Sequence, residues 1–129
     1  LRMSRGLGDV YKRQDKLRVY IMGLSMGGMA TYDMVIRYPE IFAAAVPICG
    51  TVNPVRIGKE LREIKFRIFH GDTDSVVTPE GSREAYKALK AIDASVEYIE
   101  FVGCDHNSWN PAFNYPDFMN WLFNQKKEK

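Results

Sequence analysis

Arg18-Val19-Tyr20-Ile21-Met22-Gly23-Leu24-Ser25-Met26-Gly27-Gly28 is the stretch that decides how this chain is read. Its first five residues form a short apolar run that ends at a glycine, the pattern of a buried strand. From Met26 to Tyr38, Met29, Met34 and Val35 recur at helical spacing, and the run stops before Pro39. Between the two stands Gly23-Leu24-Ser25-Met26-Gly27, a G-x-S-x-G sequence in the strand–turn–helix setting that a nucleophile elbow needs. The chain must reverse so tightly that bulky neighbours of the serine would clash, which accounts for the glycines. Such a turn lifts the Ser25 hydroxyl above the strand end and points a helix N-terminus at it. The backbone N–H of Met26 is then expected to be one oxyanion donor. The alternative, a glycine-rich turn capped by a serine, calls for no partners elsewhere in the chain.

Downstream, strand and helix patterns alternate. Phe42 to Ile48 is apolar, and Pro47 argues against a helix there. Asn53 to Ile64 is expected to be a short helix, and Phe66 to His70 a strand closed by Gly71. Thr78 is the expected N-cap of a helix with Pro79 at its first position, running to about Ile92 with Ala85, Leu89 and Ile92 on one face. Val96 to Phe101 reads as a strand. Pro116 to Gln125 reads as the last helix, with Phe118, Trp121, Leu122 and Gln125 on one side, and Lys126 to Lys129 as a solvated tail. Four strands separated by four helices predict an α/β fold, three layers deep, with a mostly parallel sheet.

A serine hydroxyl is a weak nucleophile without a base. The chain has two histidines. His70 ends a strand, where its expected role is structural, positioning the turn that follows. His106 lies in the polar loop Gly103-Cys104-Asp105-His106-Asn107-Ser108-Trp109 after the last strand, where a base belongs. The orienting acid should fall between serine and histidine. His70-Gly71-Asp72-Thr73-Asp74-Ser75-Val76-Val77 supplies two candidates. Asp74 is the choice, because it sits further into the loop with Val76 and Val77 to dock that loop on the core. Asp72 is expected to stabilise the turn through an Asx hydrogen bond. Asp74 would accept the His106 Nδ1–H and hold the tautomer able to take the Ser25 proton.

GLSMGGMATYD, IFAAAVPICG, HGDTDSVV and DHNSWNPAF together resemble the α/β-hydrolase superfamily over nearly all of residues 15–129. The resemblance is to the branch related to dienelactone hydrolase, phospholipase/carboxylesterase and the prolyl oligopeptidase catalytic domain. It implies Ser25 as nucleophile, Asp74 as acid and His106 as base, with Trp109 lining the site or packing beneath it and Met26 edging the acyl pocket. It implies no metal and no organic cofactor. Secreted members of this branch include esterases that remove acyl or feruloyl groups from plant polysaccharides, so the expected substrate is a small-molecule or polysaccharide-linked ester. The full fold also carries a His-Gly oxyanion loop upstream of the nucleophile, and none precedes Ser25 here. Residues 15–129 are therefore expected to be the C-terminal half of the domain, about its last four strands, with little activity alone and an open apolar edge at the first strand. A prolyl oligopeptidase-type peptidase has the same triad order. A non-catalytic carbohydrate-binding pseudo-enzyme is a further alternative, against which the intact set of three groups argues.

The bulk properties fit one domain of this kind. The 129 residues are 46% hydrophobic and 26% charged, which excludes disorder and coiled coil. No apolar stretch approaches the roughly 18 residues that span a bilayer. Two cysteines, Cys49 and Cys104, cannot build a disulfide scaffold, and buried or loop thiols are expected rather than a bridge. Residues 1–14 stand apart. Asp9-Val10-Tyr11-Lys12-Arg13-Gln14, reverse-translated as GAT GTG TAT AAG AGA CAG, resembles a transposase end sequence used as an adapter in sequencing libraries, so residues 1–14 are expected to be non-native. They hold four of the 18 Lys and Arg and one of the 16 Asp and Glu, so without them the net charge of +2 becomes −1. That balance, with no basic stripe, excludes a nucleic-acid partner. Oligomeric state and compartment stay open, a secreted or periplasmic signal peptide being expected only upstream of these residues.

Overall fold

The computed structural model describes residues 16–127. The segment read as non-native, residues 1–14, therefore lies outside the described residues. Four strands, β1 (Tyr20–Leu24), β2 (Ala44–Ile48), β3 (Lys65–Gly71) and β4 (Val96–Phe101), form one sheet in the order β1-β2-β3-β4. Every pairing is parallel, with Tyr20 opposite Ala44, Ala45 opposite Phe66, and Phe66 opposite Val96. Among the described residues four α-helices accompany them: α1 (Met26–Arg37), α2 (Glu80–Ala91), α3 (Trp109–Phe113) and α4 (Phe118–Phe123). None is long and apolar enough to cross a membrane.

Two cores lie on opposite faces of the sheet because successive strand side chains alternate. Ala45, Phe66 and Ile68 pack with Tyr32 and Val35 of α1 and Ala85 and Leu89 of α2. Ala44, Val46, Ile48 and Phe69 pack with Ala112, Phe118 and Leu122 on the other face. All five residues of β2 are buried, and three of its side chains are alanine or proline. Each large side chain buried this way contributes about 1.5–3 kcal/mol. On the second face, Arg67 replaces an apolar side chain. Its guanidinium lies 4.7 Å from the Trp121 ring centroid and bonds Glu97 and, at 3.2 Å, Asp117. This fastens the C-terminal segment to the sheet through cation–π and ionic contacts together.

Several local expectations differ from the structure. β1 begins and ends two residues later than its pattern, so Gly23 and Leu24 belong to the strand. Asn53 to Ile64 is not one helix but two 3₁₀ turns, Pro54–Arg56 and Lys59–Leu61, because Ile57 and Gly58 between them are extended. Thr78 does not cap α2; the helix starts at Glu80, and Pro79 occupies the cap position, its carbonyl accepting the Arg83 N–H at 3.0 Å. The last helix is shorter than Pro116 to Gln125, because Asp117 adopts a left-handed conformation at φ 59°. A helix at Trp109–Phe113 was not foreseen in the sequence; Pro111 is tolerated there in its first turn. The tail is not free at Lys127, whose N–H donates to the Leu17 carbonyl at 2.8 Å.

Candidate active site

Ser25 occupies the junction of β1 and α1 with φ 55° and ψ −118°, a left-handed-side conformation that costs a non-glycine residue energy. Its backbone is held at both ends of the turn. The Ser25 N–H donates to the Ile48 carbonyl at 2.8 Å, and the Ser25 carbonyl accepts from the Met29 N–H at 3.1 Å. A Cβ on Gly23 would stand 2.3 Å from the Gly27 carbonyl oxygen, so the turn closes only over a glycine. Gly27 itself has open space among the described residues. The second close approach is at Gly28, whose added Cβ would meet the Ile48 carbonyl oxygen at 2.8 Å and the Gly50 Cα at 3.1 Å. The steric demand thus falls on Gly23 and Gly28, not on both glycines of the motif.

The structure brings Ser25, His106 and Asp74 together. Ser25 Oγ lies 2.9 Å from His106 Nε2, and His106 Nδ1 lies 2.8 Å from Asp74 Oδ2. Asp74 Oδ1 accepts the N–H groups of Val76 and Val77, each at 2.9 Å. Its side chain is fully buried. Burial alone would raise its pKa, but the hydrogen bonds from His106, Val77 and Val76 outweigh it and hold the carboxyl below the usual range. An ionised Asp74 only accepts, so the hydrogen of His106 sits on Nδ1. Nε2 is then left with a lone pair facing the Ser25 hydroxyl.

Two loops are stitched to hold that geometry. Asp72 N–H donates to the Phe101 carbonyl and Thr73 N–H to the Cys104 carbonyl, both at 3.0 Å. The expected Asx turn at Asp72 does not form as predicted. Asp72 Oδ1 instead accepts the Gly103 N–H at 2.7 Å, across to the histidine loop, and the Asx bonds belong to Asp74. A Cβ on Gly71 would stand 2.2 Å from the Cys104 carbonyl oxygen, so this crossing too needs a glycine. Asp105, which sequence reasoning passed over, ties the loops directly. Its Oδ1 accepts from the backbone N–H groups of Ser75 and His106, at 2.9 and 2.8 Å. The one signal for it was an aspartate next to the candidate base.

The other site residues fall in varied places. Met26 begins α1, where a first-turn N–H has no intrahelical partner, as an oxyanion donor requires. Its side chain is 80% exposed. Trp109 packs edge-on against His106, with ring centroids 5.6 Å apart, and backs onto the second core. Cys49 and Cys104 are both free thiols. Cys49, left-handed at φ 44°, is buried at the end of β2. Its thiol, Asp74 and His106 offer donor atoms within 4.8 Å of one another. Burial pushes the Cys49 thiol up, keeping it protonated, and Asp74 and His106 already engage each other. His70 is fully buried and bonds Ser82 and Val77, the structural role expected of it.

Comparison with known proteins shows what the chain resembles. The sequence pattern of the prolyl oligopeptidase family matches residues 7–66. An endo-1,4-beta-xylanase/feruloyl esterase of Xylanibacter ruminicola is 36% identical over 95 residues, which are 73% of this chain and 13% of that protein. The carboxylesterase SOBER1 of Arabidopsis thaliana is 26% identical over 75% of this chain and 45% of its own length. Among solved structures, a thermostable esterase superposes with a TM-score of 0.83 at 34% identity, over 95% of this chain and 36% of that one. The chain spans half or less of the length of the curated relatives it matches.

Proposed function

We propose that this chain, which has the α/β-hydrolase fold, belongs to the esterase and peptidase branch and that Ser25, His106 and Asp74 act as a catalytic triad that cleaves carboxylic esters. The observation that carries this reading is the unbroken relay from Ser25 Oγ through both nitrogens of His106 to Asp74, with contacts of 2.9 and 2.8 Å. Ser25 Oγ attacks the ester carbonyl while His106 Nε2 takes its proton. The C–O bond to the alcohol breaks, and His106 returns the proton to the leaving oxygen. Water then attacks the acyl-enzyme by the same route and frees the acid. Asp74 stays ionised and stabilises the imidazolium in both halves. The Met26 N–H at the start of α1 donates to the oxyanion that forms in each tetrahedral step.

We extend the proposal to the substrate class only as far as an ester on a small molecule or a polysaccharide. Support for it comes from the feruloyl esterase and carboxylesterase names among the relatives. The match to the prolyl oligopeptidase family favours a second reading, a serine peptidase with the same triad. A fluorophosphonate probe on the full-length protein tests the shared chemistry. Labelling is expected at Ser25 and should vanish in Ser25→Ala; labelling that survives the substitution refutes the assignment. Rates on aryl esters against prolyl amides then choose between the two readings.

A further inference from the structure

His70 ends β3 inside the protein and takes no part in the chemistry proposed above. Both of its ring nitrogens are engaged. Nε2 stands 2.7 Å from the Val77 carbonyl oxygen, and Nδ1 stands 2.6 Å from Ser82 Oγ. A carbonyl oxygen can only accept, so Nε2 carries a hydrogen. The same nitrogen lies 3.2 Å from Asp74 Oδ2, with both side chains fully buried. Val77 is one of the two residues whose N–H groups hold Asp74 Oδ1. Ser82, fully buried in α2, also reaches the Gly50 carbonyl at 3.3 Å, beside the close approach of Gly50 to Gly28. His70 thus joins the strand end, the acid loop and the start of α2, next to the backbone that seats the nucleophile helix.

We infer that His70 is a positioning residue for Asp74. It latches the Val77 carbonyl so that the 74–77 loop turns its N–H groups onto Oδ1, and it sets a fixed N–H dipole beside Oδ2. The carboxylate has two oxygens and one useful orientation. With Oδ1 pinned by the loop and Oδ2 flanked by His70, Oδ2 meets His106 at 2.8 Å. An N–H donor suits this place. It steadies the carboxylate without being the group that must become an imidazolium during turnover, which remains His106. The inference rests on the triad roles proposed for Ser25, His106 and Asp74.

The test compares His70→Phe, which keeps a ring and removes both hydrogen bonds, with His70→Gln, whose amide N–H can still reach Val77. The full-length protein is titrated with a fluorophosphonate to count competent Ser25 sites, and kcat is expressed per titrated site. Because a misplacement of about 1 Å in a catalytic array can cost about 10²-fold, kcat per site is expected to fall about 10- to 100-fold in His70→Phe. KM should stay within about twofold, and His70→Gln should recover most of the loss. If fewer sites titrate but each retains the unsubstituted kcat, the role is only structural and the inference is overturned. Equal losses in the Phe and Gln variants overturn it as well. Should His70→Phe not fold, Ser82→Ala decides: a several-fold loss of kcat per site supports the inference, and an unchanged kcat overturns it. Failure of the triad reading itself has a different signature, since Ser25 would then go unlabelled in the unsubstituted protein.

Discussion

The nucleophile turn and the pair of loops that carry acid and base reach the same site by different physics. Residues 23–28 are shaped by exclusion, with Gly23 facing the Gly27 carbonyl and Gly28 facing Ile48 and Gly50 at distances no Cβ could occupy. Residues 71–77 and 103–109 are shaped by attraction. Asp72, Asp74 and Asp105 each accept backbone N–H groups of these loops. A steric device is insensitive to pH and fails when atoms are added. A hydrogen-bonded device spans distant segments, depends on ionisation and fails when a charge is removed.

The sharpest way to break the second device is to neutralise Asp74. Asp74→Asn keeps the shape but removes the acceptor that fixes the hydrogen on His106 Nδ1. Loss of the equivalent group in a serine triad costs about 10⁴-fold in kcat, and that is the expected fall in ester turnover. Asp72→Asn removes a charge two residues away that accepts from the Gly103 N–H and not from His106, so its kcat should change by less than about tenfold. Near-equal effects would mean that the loops hold the site by their overall charge and not by these specific bonds.

Gly23→Ala attacks the first device. The added carbon cannot stay 2.3 Å from Gly27 O, so backbone must move, at a cost of about 1–3 kcal/mol or more. Chemical denaturation would read this as a lower midpoint. A change under about 0.5 kcal/mol would show that the turn has slack.

Acid separates the two devices. Asp74 has a folded pKa below its unfolded value of about 3.9. Its contribution to stability is therefore fully present above that value and is lost as the pH falls through the lower, folded pKa. Stability measured from pH 6 to pH 3 should fall less steeply in Asp74→Asn than in the unsubstituted protein. In Gly23→Ala it should run parallel to the unsubstituted curve, displaced downward by the same amount at each pH. Parallel curves for both variants would remove Asp74 from the account of acid sensitivity.

The same division explains what could be read from the sequence. The β1–turn–α1 unit was legible because Gly23 and Ser25 carry a local reason, Gly23 facing Gly27, whereas the demand on Gly28 comes from Ile48 at the end of the neighbouring strand and Gly50 just past it. The four-strand parallel sheet was legible because alternating apolar strands and amphipathic helices are also local patterns. Asp74 and His106 could be ranked by loop position. The bonds of Asp72 to Gly103 and Asp105 to Ser75 could not, since each joins loops about 30 residues apart and any acid nearby would have looked equivalent. Helix ends escaped for a related reason. Thr78 has the chemistry of an N-cap, yet its neighbours Val76 and Val77 are committed to Asp74, and α2 begins only after Pro79.

The smallest expected effect refines the steric side of the comparison. Gly27 completes the G-x-S-x-G sequence, yet an added Cβ there meets no described atom within 4 Å. Its place is the second residue of α1, helical backbone in the first turn without the positive φ that would demand glycine. Glycine in such a position costs about 0.5–1 kcal/mol relative to alanine, mostly through the freedom it gives the unfolded chain. Gly27→Ala should therefore raise stability by up to about 1 kcal/mol, visible as a higher denaturation midpoint with unchanged slope. If Gly27→Ala lowered stability as Gly23→Ala is expected to, the turn would be governed by the glycine pair as a unit. If it stabilises the fold but slows ester turnover, the open space over Gly27 belongs to the substrate, and the glycine is kept for the acyl group that must pass above Ser25 rather than for the turn.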